Sequence, residues 1–251
     1  MTLSDAELDR YARHIILPEF GGAGQARLRD ATIAVVGAGG IGSPAIQYLA
    51  AAGVGRLLLI DDDAVEPSNL QRQTIFRSGD SGLAKVAAAA ASVRRLNPFV
   101  TVEARAERID ARNASRLLGG ADAVIDGCDG FATRLAVADA ALAARVPLVS
   151  AAVTRFEGQL ATYRGWEAAL PCYRCFVGDA PARDGGTCAE DGVLGPAAGV
   201  LGTLAALEAV RAVAPFGGDP AGTLLLVDLL MLRFRTVRLP KDPGCSGCSV
   251  Q

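Results

Sequence analysis

Gly37-Ala-Gly-Gly-Ile-Gly42 decides how this chain is read, because of what stands on either side of it. Ala31-Thr-Ile-Ala-Val-Val36 comes before it, uncharged throughout, as expected of a parallel strand buried on both faces. Ser43–Ala52 comes after it with helical character, and Arg56-Leu-Leu-Leu-Ile-Asp61 reads as a second apolar strand. Strand, glycine turn, helix and strand within about 30 residues make a βαβ unit. In that setting glycines let the backbone approach a phosphate, and the helix N-terminus favours its negative charge. Asp61 ends the second strand, near the spacing at which an acid accepts hydrogen bonds from a ribose. A nucleotide is implied, with NAD as the first guess from this motif alone; a glycine turn that merely packs helix on strand is the bland alternative.

Outward from this unit the alternation continues. The pattern predicts a helix over Leu83–Leu96, a strand over Val100–Arg105, a helix near Ala111–Leu118 and a strand over Ala123–Asp126. A helix over Thr133–Arg145 and a strand over Leu148–Ala152 complete it. Such alternation predicts an α/β, Rossmann-like fold: a mostly parallel sheet with helices on both faces. Residues 4–29 read as an N-terminal helical arm opened by a Ser4-x-x-Glu7 capping box and interrupted at Gly21-Gly-Ala-Gly24. Residues 31–152 form the nucleotide-binding core. Residues 153–251 carry short strands and a Gly/Pro/Cys-rich loop, Pro171–Gly195, read as mobile. A helix, an antiparallel pair (Leu224–Asp228 with Arg233–Leu239) and a cysteine-bearing tail complete this part. One domain over 1–251 is expected.

Composition narrows the function. Of 251 residues, 51% are hydrophobic and 21% charged, enough for a large core. A formal net charge of -2 argues against nucleic-acid binding by general electrostatics. The N-terminus carries early acids and no apolar signal core, so no export is expected. The most apolar stretch, Val193 to Val213, is interrupted by Pro196, Glu208 and Arg211 and reads as a buried or interface helix, not a membrane span. Six cysteines in such a chain point to a reducing cytoplasm, where thiols bind metals or do chemistry. His14 is the only histidine, so a Ser-His-Asp hydrolase is not expected.

Beyond Asp61 the chain departs from a dehydrogenase. A polar loop carrying Ser68, Asn69 and Arg72 leads to Lys85 at the start of the next helix. A dinucleotide site has no evident need of an Asn, an Arg and a Lys converging from one crossover, whereas a triphosphate does: Arg holds phosphate oxygens in a fork and Lys acts as a point charge. Any single one of these basic residues could equally be solvated surface. Asp126 and Asp129 stand at the C-terminal end of a strand, where α/β sheets bind ligands. Asp129 could hold Mg²⁺ or cap the next helix. Cys172-x-x-Cys175 and Cys245-x-x-Cys248 offer four thiolates, matching tetrahedral zinc, and the closed set would be structural. Two redox disulfides would need a thioredoxin-like context that is absent. Cys188, in a Gly-rich loop, could attack an acyl-adenylate, accept sulfur, or be passive.

Five segments in order carry a resemblance: Arg10-Tyr-Ala-Arg13-His-Ile-Ile-Leu, Gly37-Ala-Gly-Gly-Ile-Gly42, Ser68-Asn-Leu-Gln-Arg-Gln73, Cys172-Tyr-Arg-Cys175 and Pro243-Gly-Cys-Ser-Gly-Cys248. From about Leu8 to Cys248 the chain resembles the MoeB/ThiF/HesA family, bacterial relatives of ubiquitin-activating enzymes. The resemblance implies a homodimer that uses ATP to adenylylate the C-terminal glycine of a ubiquitin-like sulfur carrier ending in Gly-Gly. It implies that Gly39 and Gly40 of the turn, with Asp61, Ser68, Asn69, Arg72 and Lys85, contact ATP. Asp129 would hold Mg²⁺, and Arg13 would reach the phosphates of the neighbouring subunit. Gly130 stands where the family usually has Asn, which implies altered nucleotide affinity. The chain's end at Gln251 leaves the sulfur donor, a cysteine desulfurase or rhodanese-like protein, to be expected as a separate partner. Two other functions compete: an NAD-dependent oxidoreductase using the same glycine loop, and a non-catalytic adaptor for a ubiquitin-like protein.

Overall fold

Thr32–Val36 forms β1, and its side chains divide between two cores: Ile33 and Val35 enter one, Ala34 and Val36 the other. Arg56–Ile60, β2, does the same, with Leu57 and Leu59 on one side and Leu58 and Ile60 on the other. A strand apolar on both faces belongs inside a sheet covered twice. Each fully buried Ile or Leu here stabilises by about 1.5–3 kcal/mol, which penalises a slip in register on both faces at once. The computed structural model describes residues 3–179 and 192–249.

The sheet has eight strands in the order β3-β2-β1-β4-β5-β6-β7-β8, the further strands being β3 (Thr101–Arg105), β4 (Ala123–Asp126), β5 (Leu148–Thr154), β6 (Glu157–Tyr163), β7 (Thr223–Asp228) and β8 (Arg233–Arg238). β3 to β5 across the sheet pair parallel, and β6, β7 and β8 add on antiparallel. The chain leaves β1 towards β2 on one side and later returns to place β4 on the other. That makes the β1/β4 boundary the switch point at which such sheets bind ligands.

One face is covered by α3 (Gly21–Asp30), α4 (Gly42–Ala52), α5 (Lys85–Leu96) and α9 (Gly195–Val213). The other is covered by α6 (Ala114–Leu117), α7 (Phe131–Ala144) and the short α8 (Tyr173–Val177). Helices α1 (Asp5–Arg10) and α2 (Ala12–Ile15) precede α3. By length and composition α9 is the one helix among the described residues that could cross a membrane, but it packs against β4, β5, β6 and α4. The capping box is present, with Ser4 N–H donating to Glu7 Oε2 at 2.9 Å.

Three expectations need correction. The glycine run does not interrupt the N-terminal arm; it opens α3, and the break falls before it, around Pro18. Proline lacks an N–H and restricts the residue before it, which ends α2. Glycine's poor helix propensity, about 1 kcal/mol per residue, is overridden by packing of Leu28 and by Gln25, which donates to Ala52 O at 2.9 Å and meets His14 Nδ1 at 3.0 Å. The helix expected near Ala111–Leu118 is a single turn, because Asp110 and Asn113 bond each other's backbone and hold its first half as a turn. The strand expected to end at Ala152 runs on to Thr154, paired with Glu157 of β6.

Candidate functional site

The glycine turn leaves β1 with Gly37 at φ +87°, a left-handed conformation that glycine adopts without strain. Gly37 packs against the backbone of Gly127 and Cys128, where a Cβ would come within 3.1 Å of the Gly127 carbonyl oxygen. At Gly42 any Cβ would collide with the Gly37 carbonyl oxygen. Gly37 and Gly42 are therefore required by the backbone geometry of the turn. Behind it, Ala198 of α9 lies 3.2 Å from where a Gly40 Cβ would be, so α9 buttresses the turn.

Asp61, just past β2, accepts from Ala38 N–H of the turn at 2.7 Å and from Asp63 N–H at 2.9 Å. Burial pushes its carboxyl above the ordinary range, and the Lys85 ammonium opposes that rise. Lys85 is only 5% exposed, stands at the N-terminal end of α5 and donates to Asp63 Oδ2 at 2.7 Å. A buried cation at the positive end of a helix opposes the helix dipole, an arrangement that an anionic ligand would relieve.

Arg72 lies against the turn at Gly40. Its Cγ and Cδ lie 3.5 Å from where a Gly40 Cβ would be, and its guanidinium donates to Asn69 Oδ1 at 2.7 Å and Ser68 O at 3.4 Å. Asn69 closes a 3-10 turn, Pro67–Asn69, that holds this fork, while Ser68 is exposed, its Oγ 3.4 Å from Glu66 Oε2. Arg72 thus packs on the turn itself, and Lys85 lies near Asp61, whose carboxylate is bonded to the turn at Ala38. Gln73 is a residue that sequence reasoning passed over. It is 3% exposed beside Gly39, and its Oε1 has no hydrogen-bond partner among the described residues. Its place at the end of the Ser68–Gln73 run was the available signal.

Across the switch point lies the loop after β4. Asp129 is exposed there, before α7, with no hydrogen bond or ion pair among the described residues. Asp126, by contrast, is fully buried and not free for a ligand: it accepts from Ser150 Oγ at 3.0 Å and from Cys128 Sγ at 2.6 Å, and Arg134 lies 3.5 Å away. Burial, then the Asp126 charge, push the Cys128 thiol well up, so it stays a protonated donor. Arg134, 11% exposed, was also missed; a lone cation among the alanines of α7 was its only trace in the sequence.

Arg13 stands exposed on α2, which packs on α1 and α3, and among the described residues no hydrogen bond or ion pair ties it to the others. Cys188 lies outside the described residues.

The four remaining cysteines converge. Cys172, Cys175, Cys245 and Cys248 keep all their sulfurs within 4.8 Å of one another. Thiolates about 2.3 Å from a tetrahedral zinc stand about 3.8 Å apart. Here Cys172–Cys245 and Cys175–Cys248 are 3.5 Å apart and Cys172–Cys175 is 3.9 Å, so the set fits zinc. The cluster packs with Leu142 and Trp166 and joins the C-terminal tail to α7 and α8.

With this geometry in place, the likeness to known proteins is specific. Residues 11–247 match the ThiF family. The chain is 44% identical to the SAMP-activating enzyme E1 of Haloferax volcanii, over 99% of this chain and 91% of that one. It is 42% identical to the sulfur carrier protein adenylyltransferase of Thermus thermophilus, over 99% and 93%. Against the adenylyltransferase and sulfurtransferase MOCS3 of Bos taurus it is 47% identical, and spans about half of that relative's length, 54%. Among solved structures, E. coli MccB with MccA-N7isoASN shares the fold at a TM-score of 0.84 and 22% identity, covering 95% of this chain and 74% of that one.

Proposed function

The chain belongs to the ThiF family, and from that premise we propose that it uses ATP to adenylylate the C-terminal glycine carboxylate of a small ubiquitin-like sulfur carrier ending in Gly-Gly. What supports this reading is Arg72 packed against the turn at Gly40, Lys85 near Asp61, the acid bonded to the same turn, and Asp129 in the loop after β4. A polyphosphate needs such cations; a nicotinamide dinucleotide would leave them without a purpose, and relatives over nearly the whole chain are named adenylyltransferases.

In the proposed reaction a carboxylate oxygen of the carrier attacks the α-phosphorus of ATP. The bond from that phosphorus to the bridging oxygen breaks, and its electron pair leaves with pyrophosphate. A carboxylate is already ionised, so no general base is needed. Catalysis is alignment plus neutralisation of charge. Asp61 would hold the ribose, Gly39 and Gly40 would let the phosphates approach, and Asn69 would orient Arg72. Arg72 would grip phosphate oxygens while Lys85 supplies a fixed charge. Asp129 would hold Mg²⁺, which when bound neutralises phosphate charge. The four cysteines would hold a structural zinc.

Arg13 is proposed to act from a second copy in a homodimer. An apolar groove of about 430 Å³, lined by Leu17, Phe20, Tyr48, Leu207 and Phe216, runs beside α2 and supports that assembly. The enzyme is placed in the cytoplasm, with sulfur supplied to the adenylate by a separate donor. Incubation with ATP and carriers ending in Gly-Gly tests the core of the reading. Carrier-dependent pyrophosphate exchange and an acyl-adenylate by intact mass are expected. Saturable NAD reduction with no exchange would refute it.

A further inference from the structure

Tyr173 and Arg174 fill the turn between two thiols of the cysteine cluster, yet both reach away from it. Arg174 grips Asp139 of α7 with two bonds of 2.7 Å and bonds Asp179 Oδ1 at 2.5 Å, an oxygen that also accepts from Ser246 Oγ. Tyr173 is buried, its ring edge-on to Tyr163 with centroids 5.5 Å apart, and its hydroxyl lies near the Arg134 guanidinium. Helix α7 is therefore tied to α8 at Asp139, and Tyr173 packs in the same core as the alanines of α7 beside Arg134.

From Arg134 the contacts continue inward. Its guanidinium donates to Ala151 O at 2.9 Å and Ser150 Oγ at 3.3 Å and faces Asp126. Asp126 takes the N–H of Cys128 at 3.2 Å as well as its thiol, which fixes the start of the loop that carries Asp129. That loop is the wall against which Gly37 packs. Buried polar groups in such a network hold one another in a single arrangement, and loss of one partner loosens the rest. Through Arg174, Asp139 and α7, contacts thus lead from Cys172 and Cys175 to Arg134, Asp126 and the loop that carries Asp129.

We infer that Tyr173 and Arg134 are positioning residues for the Asp129 loop, and that metal occupancy of the four-cysteine cluster and binding of Mg²⁺-ATP at the sheet edge are coupled through them. The inference rests on the adenylylation reading above. Coupling between two sites is reciprocal: nucleotide must tighten zinc by the factor by which zinc tightens nucleotide.

Trp166, the only tryptophan, packs on the cysteine cluster and reports its state by fluorescence. Zinc is titrated away with a chelator, with and without Mg²⁺ and the α,β-methylene analogue of ATP, which binds without reacting. In the wild-type enzyme the nucleotide is expected to raise zinc affinity at least about fivefold, the lower end of typical coupling. Tyr173→Phe keeps the ring and all four thiols. It should hold zinc stoichiometrically and melt near the wild-type temperature while its coupling factor falls towards one. In pyrophosphate exchange it should raise the KM for Mg²⁺ and leave kcat at saturating Mg²⁺ unchanged. Equal zinc affinity with and without nucleotide in the wild type, or the full factor in Tyr173→Phe, overturns the inference. If the wild type binds the nucleotide without linkage, only this inference falls; if it binds none in any metal state, the adenylylation reading falls too.

Discussion

Replacing Arg72 by alanine separates a catalytic role from a structural one, because the structure makes the two costs unequal. In the folded chain the guanidinium makes one good hydrogen bond, 2.7 Å to Asn69, and one long one, 3.4 Å to Ser68 O. Asn69 is half-buried and Ser68 exposed, so water can replace the lost donor at both. The stability cost is then about 1 kcal/mol. For a chain of this size that lowers the melting temperature by roughly 2–4 °C. If Arg72 instead holds charge that develops on phosphate, its loss costs about 2.7–4 kcal/mol in the transition state, or roughly 10²–10³ in rate. Carrier-dependent ATP–pyrophosphate exchange at saturating ATP, with a melting curve on the same sample, reads both. Arg72→Lys should fall between, since it keeps the charge and loses the fork. Exchange within threefold of wild type in Arg72→Ala would refute the assignment, and so would a loss of rate matched by unfolding.

The same geometry sets other expected outcomes. Lys85→Met removes the charge that opposes the raised pKa of Asp61, so the carboxyl rises further; the acid limb of nucleotide binding should move to higher pH, and an unmoved limb would contradict the pairing. Cys248→Ser should abolish stoichiometric zinc and lower the melting temperature, with the far-UV spectrum of the sheet retained; unchanged zinc content would remove this thiol from the cluster. Glu7 is held at about 2 rather than 4.5, first by the Ser4 backbone N–H and then by the ion pair with Arg29. Its stabilising effect is present above about 4.5 and lost as pH falls towards 2, so wild type and Glu7→Gln should differ in melting temperature at neutral pH and converge in acid. A difference that stays constant across that window would show that charge is not involved.

The βαβ unit, the parallel alternation and the glycine turn were legible in the linear chain because their causes are local. Apolar runs, periodicity and residues that permit a left-handed turn all act within a few positions. The cysteine pairs were legible for a related reason: each Cys-x-x-Cys is a local chelate, and only the joining of residues 172–175 to 245–248 needed the fold. Residues whose role comes from distant partners were hidden or misread. Asp126 looked available for a ligand until Ser150 and Arg134 were found around it, and Lys85, read as an ATP contact with solvated surface as the alternative, proved buried and paired with Asp63. Gly21 to Gly24 read as a break, though packing of Gln25 and Leu28 makes them helical. Local conformational preference can be read along a chain, whereas the burial of a charge depends on which segments the folded sheet brings together.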